Sequence, residues 1–168
     1  MAMSLTSNSP FPRAGFRRRL ASWLYDALIT IAVYMSAGAA SFLIISLMVH
    51  FGIFDLQGYQ HLSDTITNTY WLLWPNELWK LSWVAFFFIW FWSKSGQTLG
   101  MKAWRLKVQN QDGSLITKTT ALKRLLPTLL GLGNFMVLVD RKDKLSLQDR
   151  LTDTEVVLLT LEANRGRL

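Results

Sequence analysis

The sequence predicts an α-helical integral membrane protein with two transmembrane helices, a broken third apolar segment and a small cytosolic β-hairpin or sheet. Hydrophobic residues make up 51% of the 168 positions and charged residues only 17%. The mean hydropathy of +0.21 is high for a water-soluble protein. The net charge of +7 is compatible with a membrane surface or with nucleic acid. Because the aromatic residues lie inside apolar runs, we expect a lipid bilayer as partner and no nucleic acid.

The first predicted span covers about residues 20–51. Residues 27–49 carry no charge and would extend about 34 Å as a helix, enough for a bilayer core of about 30 Å. The small residues in its middle resemble a signal-peptide cleavage site, but the apolar run continues beyond them, so we predict a retained span. Small residues recur four positions apart on this helix: Ser36 with Ala40, and Ala37 with Ser41. This spacing lets another helix approach closely.

The second predicted span covers about residues 76–93. Pro75 and Asn76 are typical of a helix start, which would put Glu77 in the first turn. Tryptophans flank the segment as in the aromatic belts of membrane helices. They are Trp71, Trp74 and Trp79 near one end, and Trp90 and Trp92 near the other.

The third apolar segment, about residues 120–139, is interrupted by helix-breaking residues: Pro127, Gly131, Gly133 and Asn134. Its uninterrupted part is short for a bilayer span. It forms either a re-entrant or interfacial hairpin, which we favour, or a third span. The two alternatives place the C-terminus on opposite sides of the membrane.

Basic residues orient the chain, because loops on the cytosolic side are enriched in lysine and arginine. Arginines 13, 17, 18 and 19 precede the first span, and the connection between the two spans has no lysine or arginine. Seven basic residues follow the second span: Lys94, Lys102, Arg105, Lys107, Lys118, Lys123 and Arg124. We therefore expect a multi-pass protein with a cytosolic N-terminus. Basic residues after the third segment favour the re-entrant form.

A small sheet is predicted between distant segments. Residues 105–109 alternate polar and apolar side chains, and Asp112-Gly113 is a strong hairpin-turn signal. Residues 155–158 are a second strand candidate that would pair with residues 105–108. The predicted organisation is a flexible cytosolic tail at 1–16, a membrane domain at 17–158 and a C-terminal tail at 159–168.

An acid lies just inside the first span. Arg19 and Asp26 are two helical turns apart and share a face with Ser22 and Thr30. A carboxylate at this depth needs a cationic partner and contact with protein or water. Arg19 is the local candidate for that partner. Asp26 would then either bind a proton or a cation, or form a buried salt bridge that anchors the helix.

Further charged residues are candidates for the same cytosolic-side polar network. Asp149 and Arg150 are a neighbouring acid and base, and Asp140 stands at the end of the third segment. Lys123 and Arg124 are alternative cationic partners for Asp26 if the third segment packs there.

Enzymatic chemistry has no support in the sequence. There is no cysteine, and His50 and His61 are too far apart for a local metal motif. The stretch after Gly96 lacks the spacing of a phosphate-binding loop. We expect no catalytic residue, no cofactor and no metal centre.

Three ordered stretches resemble the RDD family of small bacterial integral membrane proteins, named for an arginine and two aspartates. They are RRLASWLYDALI at 18–29, SGQTLGMKAWRLKVQNQDG at 95–113 and LSLQDRLTDTEVV at 145–157. Arg19, Asp26, Asp149 and Arg150 stand at matching positions. Lys102 comes one position later than in many relatives, and Gln109-Asn110 also departs from the family pattern. The resemblance implies a bacterial inner-membrane protein of poorly defined role.

Two function hypotheses follow. Some family members are associated with exchange of sodium or other monovalent cations for protons. Because two or three spans cannot enclose a pathway, such an exchanger would be a homo-oligomer that moves Na⁺, Li⁺ or K⁺ against H⁺ at Arg19 and Asp26. The alternative is a non-transporting membrane adaptor or scaffold that binds a partner protein or anionic lipid at its cytosolic face.

Overall fold

The computed structural model describes residues 9–129, 131–140 and 142–166. The helices in chain order are α1 (Phe16–His50), α2 (Leu62–Asn68), α3 (Tyr70–Lys94), α4 (Leu99–Ala103), α5 (Lys118–Leu129), α6 (Met136–Val139), α7 (Leu147–Leu151) and α8 (Leu161–Arg165). The strands are β1 (Leu106–Asn110) and β2 (Thr154–Leu158), and a 3₁₀ turn, Leu132–Phe135, precedes α6.

The chain divides into two compact units. The first unit comprises the described parts of Met1–Leu28 and Phe87–Leu168, and the second unit is Ile29–Phe86. Helices α1 and α3 contribute residues to both units.

Helix α1 confirms the predicted first helix. Among the described residues it is the one helix that is long and apolar enough, taken singly, to cross a membrane. The segments Lys118–Leu129 and Gly133–Val139 would add a second span only if the two parts, bent by 87°, act together. Helix α3 does not meet that standard, because tryptophans and the polar residues Asn76, Glu77 and Lys80 lower its hydropathy. The second span therefore stays a prediction.

The predicted start of the second helix is wrong. Helix α3 begins at Tyr70 and contains Pro75, so Glu77 lies beyond the first turn. A proline near the N-terminus of a helix removes only one main-chain hydrogen bond, so it does not force the helix to begin there. The consequence is that Glu77 lies about two turns further into the helix than expected.

The third apolar segment is broken, as predicted. Helix α5 is capped by Thr117, whose Oγ1 accepts a hydrogen bond from Thr120 N at 3.2 Å. The break contains Gly131, whose φ of +69° is a left-handed conformation that glycine adopts without strain. Whether the segment crosses a membrane stays a prediction.

The predicted sheet is confirmed in its pairing. Strands β1 and β2 are antiparallel, with Leu106 opposite Leu158 and Asn110 opposite Thr154. The predicted turn also forms at Gly113, which has a φ of +84°. The chain does not return there as a hairpin strand. Instead, the partner strand β2 follows α7.

Residues 12–14, which precede α1, are attached to this sheet. Arg13 bridges to Val157, and Leu158 N donates to Pro12 O at 2.8 Å. The N-terminal tail predicted for 1–16 therefore does not extend to residues 12–14, and residues 1–8 of that prediction lie outside the described residues. Within the C-terminal tail predicted for 159–168, residues 161–165 form α8, and Asn164 Nδ2 donates to Lys102 O at 3.1 Å. Residues 167–168 lie outside the described residues.

In the second unit, α1 and α3 pack through small residues. Ala37 is buried, and its carbonyl accepts a hydrogen bond from Trp79 Nε1 at 3.1 Å. Ser41 Oγ donates to Asn76 Oδ1 at 2.6 Å. Helices α1 and α3 are thus in contact at Ala37 and Ser41, and a close approach of their backbones stays a prediction.

Candidate functional site

Asp149 is the centre of a buried charge cluster in the first unit. Its Oδ2 accepts a hydrogen bond from Arg19 Nη1 at 2.6 Å, and its Oδ1 accepts one from Arg124 Nη2 at 2.8 Å. The side chains of both arginines are 3% exposed, and that of Asp149 is 0% exposed. We call Arg19, Arg124 and Asp149 the arginine–aspartate cluster.

Hydrogen bonds at the start of α7 orient the side chain of Asp149, in addition to the two arginines. Ser146 and Asp149 form a capping box at the start of α7, in which each side chain bonds the backbone N–H of the other residue. Burial alone would raise the pKa of Asp149, but the charges of Arg19 and Arg124 lower it to about 2. Asp149 is therefore a permanent anion near neutral pH.

Arg19 is fully engaged within this cluster and its surroundings. Its Nε donates to Ala14 O and its Nη2 donates to Lys144 O, both at 3.0 Å. Its Nη1 bonds Asp149 and Ser146. All three guanidinium nitrogens thus have partners, and Arg19 joins α1 to the start of α7.

Arg124 joins α5 to the same centre. Its Nη1 donates to the hydroxyl oxygens of Thr152 and Thr154. Arg19 and Arg124 both bind Asp149, so this carboxylate connects α1, α5 and α7 beside β2.

Asp26 has different partners. Its Oδ2 accepts a hydrogen bond from Thr98 Oγ1 at 2.5 Å, and its Oδ1 accepts one from Gly100 N at 2.9 Å. Both donors are uncharged and lie at the start of α4, where Thr98 is also the N-cap residue. A Cβ atom on Gly100 would lie 2.5 Å from Ser22 O and 2.8 Å from Asp26 Cγ, so only glycine permits this approach.

The prediction that Arg19 is the partner of Asp26 is wrong. The two residues do share a helix face, but the arginine binds Asp149, which the tertiary fold brings from α7. Spacing along one helix identifies a shared face but not the partners that other elements supply.

The other predicted site residues divide between the cluster and the surface. Arg124 belongs to the arginine–aspartate cluster, whereas Lys123 is exposed on the same helix. Arg150 is also exposed and pairs with Asp140 at 2.6 Å, so the predicted joint role with Asp149 is wrong. Neighbouring helical residues point about 100° apart, which separates the two environments.

Two further site candidates, Ser22 and Thr30, lie in different units of the chain. Ser22 is buried in the first unit. Thr30 is half-buried and belongs to the second unit, so its role in the predicted polar stripe stays a prediction.

A cavity of about 60 Å³ lies between these groups, and its wall includes Asp26, Arg19 and Arg124. Three buried polar atoms of wall residues have no hydrogen-bond partner among the described residues: Trp92 Nε1, Arg124 Nε and Gln148 Oε1. The volume is sufficient for a few water molecules or one small cation. The wall of the cavity contains both hydrogen-bond donors and hydrogen-bond acceptors, which a binding site for a polar ligand requires.

Several residues of the site were not identified from the sequence. Thr98 and Gly100 gave no signal of contact with Asp26. Ser146, by contrast, precedes Asp149 by three positions, and that spacing is the sequence signal of a capping box. No group of three or more His, Asp or Glu residues in the described part of the chain could hold a metal ion.

A second buried polar group lies on the sheet. Glu155 is 0% exposed and accepts hydrogen bonds from Arg13 Nε at 2.9 Å and Gln109 Nε2 at 3.1 Å. Gln109 Oε1 also accepts a bond from Lys107 Nζ at 3.1 Å. Strand alternation predicted β1, but it gave no indication that its polar side chains are buried.

The described part of the chain is mostly helical and contains one helix, α1, that is long and apolar enough to cross a membrane. A model of the RDD family matches residues 13–153. The chain therefore belongs to the RDD family, as its motifs indicated. Neither a curated protein nor a solved structure matched the sequence.

Proposed function

We propose that this chain is a multi-pass protein of the bacterial inner membrane that exchanges protons for Na⁺, Li⁺ or K⁺ at Asp26. Membership of the RDD family and the length of α1 support a membrane location. The arginines that precede the first apolar run support a cytosolic N-terminus.

The observation that carries this proposal is the difference between the two buried aspartates. Asp149 is held by two arginines, and its pKa of about 2 excludes proton exchange near neutral pH. Asp26 is bonded to the uncharged donors Thr98 and Gly100 and borders the cavity. A carboxylate in such surroundings exchanges a proton or a cation more readily than one held by an arginine. In this proposal Arg19 has a structural role and Asp26 alone is the exchanging group.

Oligomerisation is part of the proposal, because two or three spans are too few to enclose a pathway. The small residues Ser36 and Ala40 are exposed on α1, and their spacing would let a second copy approach closely. Cross-linking of the purified protein in membranes tests this point directly.

The test of exchange is proton flux in proteoliposomes under an imposed Na⁺, Li⁺ or K⁺ gradient. Wild type should show cation-dependent flux, and Asp26→Asn should lose it while remaining inserted and folded. Asp112→Asn is the matched control, because Asp112 is exposed in the turn after β1. Absence of flux from folded wild-type protein with all three ions would refute exchange.

The second candidate is a non-transporting adaptor or scaffold at an anionic membrane surface. Helix α5 exposes Leu122 and Leu126 together with Lys118 and Lys123. Leucines beside lysines are typical of a helix that lies in the interface of an anionic bilayer. Preference for anionic over neutral nanodiscs, lost when both lysines are replaced by glutamine, would favour this candidate if wild type shows no flux.

A further inference from the structure

The wall of the cavity beside Asp26 reaches the surface at two neighbouring residues. All of its described wall residues are buried except Trp23 on α1 and Thr128 on α5, which are partly exposed. These two residues are bonded to each other, because Trp23 Nε1 donates to Thr128 O at 3.0 Å. The mouth of the cavity therefore lies between them, and a hydrogen bond spans it.

Trp23 is a neighbour of Asp26 on α1. It precedes Asp26 by three positions and follows Arg19 by four, so the three side chains lie along one face of the helix. Asp26 itself is only 5% exposed. An ion that enters through the mouth thus passes the indole ring before it reaches the carboxylate.

The end of α5 provides the contact for the indole. The last carbonyls of a helix have no partner within it, and Thr128 O, one residue before the end of α5, is such a carbonyl. It accepts hydrogen bonds from Trp23 Nε1 and from Gly131 N, both at 3.0 Å. A Cβ atom on Gly131 would lie 3.2 Å from Trp23 Cζ2, so the ring packs against a residue that has no side chain.

The polar bond that closes the mouth is a single one. An indole has one N–H donor, and one neutral hydrogen bond changes an equilibrium constant by about fivefold. The bonds from Arg19 to Asp149 and from Gly100 to Asp26 do not involve Trp23. The indole can therefore turn away while these bonds remain in place.

We propose that Trp23 is the gate of this cavity. The indole closes the mouth while it bonds Thr128, and it opens the mouth by turning away from the end of α5. This inference rests on the proposed function, because the gate controls how the exchanged ion and the proton reach Asp26. A closed site excludes bulk water and so limits proton leakage, and side chains or loops that open transiently are a common means of access.

The experiment measures access to the cavity with a single thiol, because the chain contains no cysteine. Ser22 lines the cavity and is 3% exposed, and cysteine is close to serine in size. The rate at which methyl methanethiosulfonate, a small neutral reagent, forms a mixed disulfide with Ser22→Cys is measured in nanodiscs. Adding Trp23→Ala should accelerate labelling at least about tenfold, because the bond and the packing of the ring are both lost. Trp23→Phe keeps a ring without the N–H and should accelerate it about fivefold.

Two controls detect a general loosening of the fold. Trp79→Phe removes an equivalent indole bond, to Ala37 O in the second unit, and should leave the labelling rate of Ser22→Cys unchanged. Ala121→Cys places the thiol at a buried position of α5 outside the cavity wall, where Trp23→Ala should not accelerate labelling. Equal acceleration at both thiols would overturn the gate.

The remaining outcomes separate the gate from the proposed function. Ser22→Cys that is labelled as fast as the exposed Ser114→Cys, or at a rate that neither Trp23 substitution changes, would overturn the gate and leave exchange at Asp26 standing. Accelerated labelling, with no cation-dependent flux in folded wild type, would support the gate and refute exchange. Accelerated labelling together with such flux would support both.

Discussion

Asp149→Asn should destabilise the first unit more than any surface charge change. The substitution keeps the shape of the side chain but leaves Arg19 and Arg124 buried without their counter-ion. Removing one partner from a buried ion pair typically costs about 3–5 kcal/mol, because an uncompensated charge remains in a medium that solvates it poorly. All three side chains are nearly inaccessible, so solvent screening gives little relief.

The assay is thermal unfolding of purified protein in nanodiscs, followed by near-ultraviolet circular dichroism of its eight tryptophans. For a chain of this length, the expected loss corresponds to a fall in Tm of roughly 6–20 °C. Arg150→Gln is the matched control on the same helix. Arg150 pairs with Asp140, and the arginine side chain is 44% exposed. Its replacement should therefore lower the free energy of unfolding by less than about 1 kcal/mol.

A double variant tests the mechanism of this loss. Arg19→Gln combined with Asp149→Asn leaves one buried uncompensated guanidinium, whereas Asp149→Asn alone leaves two. The double variant should therefore be more stable than the sum of the single losses by about 1–3 kcal/mol. Additive losses, or a fall in stability for Asp149→Asn no larger than that of Arg150→Gln, would refute the reasoning.

Three further predictions concern the same unit. Because the folded pKa of Asp149 is about 2 against 3.8 in an unstructured chain, its contribution of about 2 kcal/mol is present above about pH 4. That contribution should disappear as pH falls through about 2, and acid titration of Asp149→Asn should lack this step. Gly100→Ala should cost about 1–3 kcal/mol, because its Cβ would lie 2.5 Å from Ser22 O. Gly96→Ala should cost more than Gly113→Ala in thermal unfolding. Both have positive φ, but only a Cβ on Gly96 would meet a carbonyl of β1, at 2.6 Å.

The sequence predicts the parts of the fold that depend on one continuous segment. The uncharged run after Asp26 predicts α1, and the breakers around Gly131 predict the bend that follows α5. The pairing of β1 with β2 is also predictable, since both are short strands of complementary pattern. The start of α3 is not predictable in this way, because Pro75 is a strong local signal for the start of a helix. The main-chain hydrogen bonds that remain in the helix outweigh that signal.

The residues of the site can be predicted from the sequence, but the partners that they bind cannot. Arg19, Asp26 and Asp149 are recognisable because charged residues beside an apolar run need partners. Which acid the arginine binds depends on where α7 packs, and no local spacing contains that information. The contact of Asp26 with Gly100 is equally non-local. It requires a residue without a Cβ on an element 74 positions away.

The structure gives the arginine and the two aspartates unequal roles. Arg19 neutralises Asp149 together with Arg124, and so holds three helices around a group that stays ionised. All three guanidinium nitrogens of Arg19 bind other groups. Asp26 therefore accepts hydrogen bonds from the uncharged donors Thr98 and Gly100. The two carboxylates of this unit thus have different partners: two arginines bind Asp149, whereas two uncharged donors bind Asp26. In the proposed exchange, Asp149 would hold the site together because it stays ionised, and Asp26 would be the exchanging group.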